Sequence, residues 1–481
     1  MSSNYSLPRS TPEEQGVSSE GILSFLEALK EYSIELHSFM MVRNNTVISE
    51  GWWAPHHKDL PHMLFSLSKS FTSTAIGFAV TEGLLNVENS VIGYCRPELT
   101  QGLDDKFHRL KIKHLLTMST GQAQEPDVTK RPDGDWEKGF LEEPIIHEPG
   151  TQFHYNSMAT YMLSVILTRV TGQTVRDYLM PRLFEPLGIE NPVWDLCPRG
   201  YSIGGWGLNL ITEDIAKFGI LYLNKGLYNG KHVLSPTWID EATSLKIANG
   251  DNSLSDWAQG YGYQFWRCRH NAYRGDGAFG QYCVVFPDKK AIIAITSAVP
   301  DMQSVLNLIY EHLLPAMAHE NTLPSSPDYL KLQKVQKGLA LDPPKSINRS
   351  DREPHLMGLG FTFTMHPMGI KSISFSFEGD TLTISLENDQ GTSAFLSGRE
   401  QWVYFTTPPL EFTGSTEKLF HAAGSFTWES ENILVVTTRL FETPYIITDR
   451  YTFSPKGFTL LSCLNVSFEA DPSFKVEGIL V

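Results

Sequence analysis

The sequence predicts an α/β (α+β) protein: an antiparallel sheet flanked by helices, followed by a second domain made of strands. Residues 38–53 and 281–299 each consist of short apolar runs around a turn, a pattern typical of β-hairpins. Between them, from about 66 to 260, most apolar residues recur at helical spacing. A helical block enclosed by two hairpins indicates one sheet whose strands come from both ends of the domain, with a mostly helical insertion.

The pattern changes after about residue 320. Residues 321–356 are rich in proline and polar side chains, which predicts a linker with room for one helix. From 357 to 481 the apolar spacing has a period of two, with turn residues between the runs, as in ISFSFEGDTLTISLEN. We therefore predict a first domain over residues 1–320 and a C-terminal antiparallel β-barrel or sandwich over residues 357–481.

Composition excludes several classes of protein. Hydrophobic residues make up 41% of the 481 residues and charged residues 19%, which suits a packed core and excludes wholesale disorder. A net charge of -15 disfavours nucleic acid and anionic membranes as partners. The sequence contains neither a signal-peptide pattern nor an apolar run near the ~18 residues of a membrane span. Five widely spaced cysteines indicate reduced thiols, so we expect a soluble cytoplasmic protein. Its oligomeric state stays open, with a homo-oligomer among the alternatives.

The sequence gives no support for a cofactor or a metal ion. It contains no P-loop, no H-E-x-x-H and no C-x-x-C. Residues 275–280 fit the letters G-x-G-x-x-G, but they lead into a predicted strand, whereas a dinucleotide loop opens a helix. The absence of G-x-S-x-G disfavours the α/β-hydrolase arrangement.

The most informative motif is Ser66-Leu67-Ser68-Lys69, because it begins a predicted helix that Gly83 ends. Ser66 and Lys69 then lie one turn apart on the same side of that helix. A partly desolvated lysine has a lowered pKa and can remove the proton of a neighbouring hydroxyl. The alternative is a helix-capping serine beside a solvated lysine, and the motif letters alone favour that alternative.

Two further segments favour the catalytic interpretation. Residues 153–157 (FHYNS) precede a predicted helix, and residues 274–277 (RGDG) lead into a predicted strand. With Ser66 and Lys69, they resemble the three motifs of the serine β-lactamase and penicillin-binding-protein superfamily. The resemblance is greatest to its class C-like esterases, D-aminopeptidases and amide hydrolases. It covers roughly residues 10–317, with supporting blocks such as LKIKHLLTMSTG and GGWGLNLITEDIAKFGILYLNKG.

The resemblance implies a role for each matching residue. Ser66 is the acylated nucleophile, Lys69 moves its proton, and Tyr155 relays protons and activates the water for deacylation. The backbone N–H groups of Ser66 and Ala278 form the oxyanion hole, where each donor contributes about 3–4 kcal/mol. For Tyr155 the alternative is a core aromatic residue with a satisfied hydroxyl.

Five residues are candidates for substrate binding: Ser157, Trp206, Asp276, Gly277 and Gln281. The alternative for Trp206 is a tryptophan that packs in the core or anchors a loop. The alternative for Gln281 is a glutamine on the solvent face of a strand. Both of these alternatives stay open at the level of sequence.

Two departures from the family pattern bear on the substrate. The family usually has Tyr-x-Asn, whereas here Ser157 takes the third position and Asn156 stands one place early, so an amide donor to the substrate is lost or displaced. The third motif usually begins with Lys or His, but here it reads Gly275-Asp276. Arg274, one place earlier, points to the opposite face of an extended strand, and the alternative is that it pairs with Asp276 in an irregular loop. We expect a neutral or amine-bearing ester or amide as substrate, not a β-lactam.

The predicted function is therefore a serine hydrolase that acts through an acyl-enzyme on a small ester, amide or D-amino-acid peptide. One alternative is a β-lactamase or DD-peptidase of the penicillin-binding-protein type. A second is a catalytically weak binding protein that kept the fold. The intact Ser66, Lys69 and Tyr155 argue for an enzyme, whereas Ser157 and Gly275 keep the second alternative open.

Overall fold

The computed structural model describes residues 6–318, 320–346, 349–389, 391–408, 410 and 419–481. The chain divides into two compact units. The first is formed by residues up to Gly51, by Lys58–Ser297 and by Asp301–Gly338, and the second by Trp52–His57, Ala298–Pro300 and Leu339–Val481. Among the described residues, none of the helices combines the length and apolarity needed to cross a membrane.

The first unit contains a six-stranded sheet in the order β2-β1-β11-β10-β9-β8. β1 pairs with β11 in antiparallel register, with Met40 opposite Ala294, so strands from the two ends of the unit lie side by side. This confirms the prediction of one sheet built from two hairpins. Every residue of β1, β10 and β11 is buried, which explains their continuous apolar runs. The strands of this unit are β1 Leu36–Arg43, β2 Thr46–Trp52, β3 His62–Met63, β4 Val193–Trp194, β5 Leu208–Leu210, β6 Leu227–Tyr228, β7 Lys231–His232, β8 Trp266–Arg267, β9 Tyr273–Gly277, β10 Gln281–Phe286 and β11 Ala291–Ser297.

Helices are the main regular structure between β2 and β8, as predicted, although loops and the short strands β3 to β7 occupy more than half of this segment, and helices also precede and follow the sheet. Single π-helical turns, Met180–Phe184 and Ile309–Leu313, join α7 to α8 and α11 to α12. The helices are α1 Ser19–Glu31, α2 Ser68–Thr81, α3 Asp105–Arg109, α4 Ile112–Leu116, α5 Trp136–Glu142, α6 Ser157–Thr171, α7 Val175–Leu179, α8 Glu185–Leu187, α9 Thr212–Leu223, α10 Pro236–Thr243, α11 Met302–Leu308, α12 Leu314–Ala316 and α13 Pro327–Lys337. Helix α13, the one helix expected in the linker, contacts α1 and belongs to the first unit, while the domain limits themselves stay a prediction.

Helix α2 carries the Ser-x-x-Lys motif and is buried along almost its whole length. A helix buried on all sides must satisfy its polar side chains internally. The hydroxyls of Ser70 and Ser73 donate to the carbonyls of Gln264 and Tyr263 at 2.8 and 2.7 Å. These bonds fix the helix against the segment that leads into β8.

The second unit is a closed barrel, one of the two predicted forms. Nine strands close through a parallel pairing of β15 with β17, where Gly398 lies opposite Ser425, and β16 pairs with β17 outside this ring. Alternate residues of β13 are buried, and aromatic side chains including Phe375 and Trp428 form the barrel core. Its elements are α14 Glu353–Leu356, β12 Gly360–Phe363, β13 Ser372–Glu378, β14 Thr381–Asn388, β15 Gly391–Arg399, β16 Val403–Thr407, β17 Phe420–Ser430, β18 Ile433–Leu440, β19 Ile446–Ser454, β20 Gly457–Leu464 and β21 Ser473–Leu480.

Candidate active site

Ser66 and Lys69 meet at the start of α2. Ser66 lies in a 3₁₀ turn, Phe65–Leu67, that runs directly into the helix, and it is partly exposed to solvent. Lys69 is only 2% exposed, and its Nζ donates a hydrogen bond to Ser66 Oγ at 2.9 Å. The spacing of three residues therefore brings the amine to the hydroxyl, as one turn of helix requires.

Two more acceptors surround the Lys69 amine. Nζ also donates to Ser157 Oγ at 3.1 Å and to the carbonyl oxygen of Gly205 at 2.7 Å. A Cβ on Gly205 would lie 2.7 Å from the carbonyl oxygen of Ser157. Only glycine therefore allows this segment to pack close enough for its own carbonyl to reach Lys69. The three N–H bonds of an ammonium group thus have three acceptors, each from a different segment.

Burial decides the protonation of Lys69. Loss of hydration lowers its pKa to about 8, while the carboxylates of Glu125 and Asp276 act in the opposite direction. At neutral pH roughly one amine in ten is therefore uncharged, and that fraction rises steeply toward pH 8. Glu125 is exposed and lies in the loop before α5, and no sequence motif singled it out.

Tyr155 lies beside the lysine. Its ring stacks on Trp266 with centroids 5.5 Å apart, and Lys69 Nζ lies 4.8 Å from the Tyr155 ring centroid. Desolvation raises the pKa of Tyr155 above its usual value, Asp276 raises it further, and the Ser66 side chain opposes both. The phenol therefore stays protonated at neutral pH, although the residue is partly exposed.

Asn156 does not replace the missing asparagine of the second motif. It is the N-cap of α6: its Oδ1 accepts hydrogen bonds from the N–H groups of Met158 and Ala159 at 2.9 and 3.3 Å. Its Nδ2 donates to Gln122 Oε1 at 2.9 Å, and the residue is fully buried. The amide is thus used inside the fold, and Ser157, the next residue, turns its hydroxyl to Lys69.

Arg274 and Asp276 form a buried ion pair on β9, with Nε and Oδ2 2.8 Å apart. The expectation that this contact needs an irregular loop is wrong. β9 is a regular strand, and residues two apart on a strand share one face. Arg274 also donates to the carbonyl of Asp256 at 2.8 Å and to Cys268 Sγ at 3.1 Å. The carboxylate that the third motif contains here is therefore paired with a cation of the same strand.

The strand β9 packs closely against the start of α2. A Cβ on Gly275 would lie 2.5 Å from both Leu67 Cδ1 and Ser70 Oγ, and these side-chain ends would have to shift. A Cβ on Gly277 would lie 2.0 Å from the carbonyl oxygen of Leu64, so the backbone reaches this point only because the residue is glycine. Gly277, predicted to contact substrate, thus packs against the segment that bears Ser66.

Gln281 is buried and is not on the solvent-exposed face that sequence reasoning considered. Its Nε2 donates to the carbonyls of Ala278 and Ser297 at 3.0 and 2.8 Å, and its Oε1 accepts from the Ser297 N–H at 3.1 Å. Its amide therefore holds the turn after β9. Trp206 is partly exposed and packs on Trp136, with ring centroids 5.7 Å apart.

The two amides predicted for the oxyanion hole have no acceptor among the residues that the structure describes. Within the described part of the chain, neither the Ser66 nor the Ala278 N–H donates a hydrogen bond to another residue. Ala278 is partly exposed, and the strand it follows packs against Leu64 and Phe65. Together with an amine, two hydroxyls and a phenol, these groups suit proton transfer and nucleophilic attack, whereas metal ions prefer imidazole, thiolate and carboxylate ligands.

Comparison with known proteins identifies the family. Residues 25–313 match the family model described as Beta-lactamase, and the chain belongs to this family of hydrolases. The predicted resemblance to serine β-lactamases and penicillin-binding proteins is thereby confirmed.

Three similar proteins extend this result. The 6-aminohexanoate-dimer hydrolase of Paenarthrobacter ureafaciens is 24% identical over 315 residues, which cover 60% of this chain and 80% of the relative. The fold matches EstCE1, a hydrolase with promiscuous acyltransferase activity, with a TM-score of 0.50 and 16% identity over 62% of this chain and 99% of that one. It also matches an octameric penicillin-binding protein homologue from Pyrococcus abyssi, with a TM-score of 0.50 and 15% identity over 96% of this chain and 99% of that one.

Asn156→Ala tests the structural role of this asparagine. We expect the free energy of unfolding in a chemical denaturation experiment to fall by about 1–3 kcal/mol, because two helix amides and a buried amide lose their partner. Asp301→Ala, which removes the cap of α11 at an exposed position, is the matched control and should cost less. A variant of unchanged stability whose KM rises only for substrates with an acyl-side amide would instead assign Asn156 to substrate binding.

Proposed function

We propose that this protein is a serine hydrolase that cleaves a small ester, amide or D-amino-acid peptide through an acyl-enzyme on Ser66. The observation that carries the proposal is the buried Lys69 amine, with a pKa of about 8, bonded to the accessible Ser66 hydroxyl at 2.9 Å. A lysine that is merely solvated would have neither this burial nor this pKa. Membership of the Beta-lactamase family supports the same chemistry.

Acylation begins with uncharged Lys69, which takes the proton of Ser66 Oγ as the oxygen attacks the carbonyl carbon of the substrate. The carbonyl oxygen becomes an oxyanion and accepts hydrogen bonds from the N–H groups of Ser66 and Ala278. The bond to the leaving group then breaks, and the leaving group takes a proton that Tyr155 supplies and regains from Lys69. The products of this half-reaction are the acyl-enzyme and a free alcohol or amine.

Deacylation uses the same groups in reverse. A water molecule attacks the acyl carbon while Tyr155 accepts its proton and passes its own proton to Lys69. Because the pKa of Tyr155 is raised, the resting residue is a neutral phenol. It therefore acts by accepting one proton while it donates another, and not as a phenolate base. The Ser66–acyl bond breaks, Oγ recovers a proton from Lys69, and the acid product leaves.

We further propose that the substrate is neutral or bears an amine. The third motif has no cation to hold a substrate carboxylate, and Arg274 is neutralised by Asp276. The carboxylates of Glu125 and Asp276 make the potential at Lys69 more negative, which favours a positively charged group nearby. The similarity to a 6-aminohexanoate-dimer hydrolase supports an amide substrate with an amino group, although that dimer also ends in a carboxylate. The missing cation and the Arg274–Asp276 pair are the features that argue against a β-lactamase or DD-peptidase, whose substrates carry a carboxylate.

The location and assembly of the protein belong to the same proposal. The five cysteines form no disulfide, which supports a reducing, cytoplasmic environment. The octameric state of the Pyrococcus abyssi homologue supports a homo-oligomer. Sedimentation analysis of the purified protein decides between a monomer and an assembly.

Ser66→Ala and Tyr155→Phe test the nucleophile and the relay. We expect a fluorophosphonate probe to label the wild type and not Ser66→Ala, because the phosphoryl group forms its bond with Ser66 Oγ as fluoride leaves. Tyr155→Phe should keep its fold and lose about 10²–10⁴-fold in kcat on p-nitrophenyl acetate, the range for loss of a general acid-base group. Equal labelling of the wild type and Ser66→Ala would remove the nucleophile assignment and leave the inert binding protein as the better alternative.

The dependence of kcat/KM on pH tests Lys69 as the base. Because only the uncharged amine accepts a proton, kcat/KM should rise about tenfold per pH unit below pH 8 and level off above it. Asp276→Asn removes a negative charge that raises this pKa, so the rising limb should move to lower pH. Asp240→Asn, on the exposed face of α10, is the control and should leave the limb in place. A pH-independent rate, or a shift of the limb to higher pH in Asp276→Asn, contradicts this role.

Substitution of Glu125 tests the charge of the substrate. In Glu125→Gln, kcat/KM for the cationic p-nitrophenyl 6-aminohexanoate should fall by about 2–5-fold at low salt, because an exposed ion pair contributes up to about 1 kcal/mol. The value for the neutral p-nitrophenyl hexanoate, compared at the pH plateau, should stay unchanged. Glu31→Gln, exposed at the end of α1, is the matched control. Equal effects on both esters, or turnover of nitrocefin at a higher kcat/KM than of either ester, would overturn the substrate assignment.

A further inference from the structure

Phe65 and Phe279 adopt the left-handed backbone conformation, with φ of 47° and 64°. Bulky side chains rarely occur there, because the Cβ atom crowds the backbone, and such residues persist only where their surroundings hold them. Phe279 occupies a turn of three residues between β9 and β10, where glycine or asparagine is the usual choice. Something in the fold must therefore compensate for both phenylalanines.

The two side chains contact each other. Their ring centroids are 5.5 Å apart and the planes meet at 89°, which is the favourable edge-to-face geometry of aromatic pairs. Both residues are buried, with 9% and 8% of their surface exposed. Phe65 directly precedes Ser66, and Phe279 directly follows Ala278, so the ring contact bridges the two segments that carry the free amides.

Hydrogen bonds from Ser297 and Gln281 hold the backbone carbonyls of the turn. Ser297 Oγ donates to the carbonyls of Phe279 and Gly280 at 2.9 and 2.7 Å, and Gln281 Nε2 donates to the carbonyl of Ala278 at 3.0 Å. These bonds fix the carbonyl side of the turn. The Ala278 N–H has no acceptor among the described residues, and the aromatic pair is a direct side-chain contact between this turn and the residue before Ser66.

We propose that the Phe65–Phe279 contact is a positioning device that sets the separation of the Ser66 and Ala278 N–H groups. The proposal rests on the proposed function, because it takes these two amides as the oxyanion hole. Each ring acts through the backbone N–H of its neighbour, so both are proposed as positioning residues. Loss of either ring lets its segment relax from the left-handed conformation and moves one amide away from the oxyanion.

This device acts on the transition state and not on the bound substrate. An oxyanion exists only after attack, so misplaced donors lower kcat and leave KM nearly unchanged. A tetrahedral boronate on Ser66 Oγ places an oxygen where the oxyanion forms, so its affinity should fall together with kcat. Two residues that act through one contact are also non-additive, because the second loss removes nothing further.

The experiment is a double-mutant cycle of Phe65→Ala, Phe279→Ala and both together. We expect each single variant to lose about tenfold or more in kcat on p-nitrophenyl acetate and in affinity for phenylboronic acid, with KM within about twofold of wild type. The kcat and the boronate affinity of the double variant should be no lower than those of the more impaired single variant. Rates are normalised to the active fraction found by fluorophosphonate titration, so partial unfolding does not imitate the effect.

Two controls separate positioning from stability. Phe25→Ala removes a ring from another buried aromatic pair, Phe25–Phe39, and should lower the melting temperature without lowering boronate affinity. Phe65→Leu and Phe279→Leu keep most of the apolar volume but remove the edge-to-face ring contact. They replace the alanine variants in the cycle if the alanine variants do not fold.

Losses that multiply in the double variant, or a rise in KM with unchanged boronate affinity, overturn the positioning role. If the wild type neither binds boronate nor is labelled at Ser66, the proposed function itself fails. If the wild type does both while the ring variants keep their full affinity, only this inference fails.

Discussion

A lysine amine removed from water is the constraint around which the first unit is built. Burying an ammonium group is costly unless hydrogen bonds replace its hydration. For Lys69 those bonds come from the turn before α2, from the first residue of α6 and from the loop before β5. The three segments must therefore converge on one atom, which ties the helical insertion together at this point. The same desolvation lowers the pKa of the lysine, which is the property that the proposed mechanism uses.

The close approach of β9 to α2 is the second constraint, and it links packing to specificity. Gly277 has no Cβ, so the strand backbone reaches the residues around Ser66. Arg274 and Asp276 lie on the other face of the strand, where the two side chains form an ion pair. The strand therefore presents no unpaired cation, which is the basis of the proposed preference for substrates without a carboxylate.

Local features of the site were predictable from the sequence, and contacts between distant segments were not. The meeting of Ser66 with Lys69 follows from one helical turn, and the two hairpins follow from their apolar runs. The N-cap formed by Asn156 was also predictable from the sequence, because asparagine favours the position before a helix. The Arg274–Asp276 pair needed only the rule that alternate residues of a strand share a face. By contrast, the Gly205 carbonyl, the field of Glu125 and the closure of the barrel through β15 and β17 depend on tertiary placement that no single motif encodes.

Ser157 shows how one departure from a family pattern changes the chemistry of a site. An asparagine in this position would offer an amide, whereas serine offers a hydroxyl that both accepts and donates. Here the hydroxyl accepts from Lys69 at 3.1 Å. With Ser66 it gives the amine two hydroxyl neighbours. In the proposed mechanism this departure therefore places a second hydroxyl beside the base, where an asparagine would place an amide.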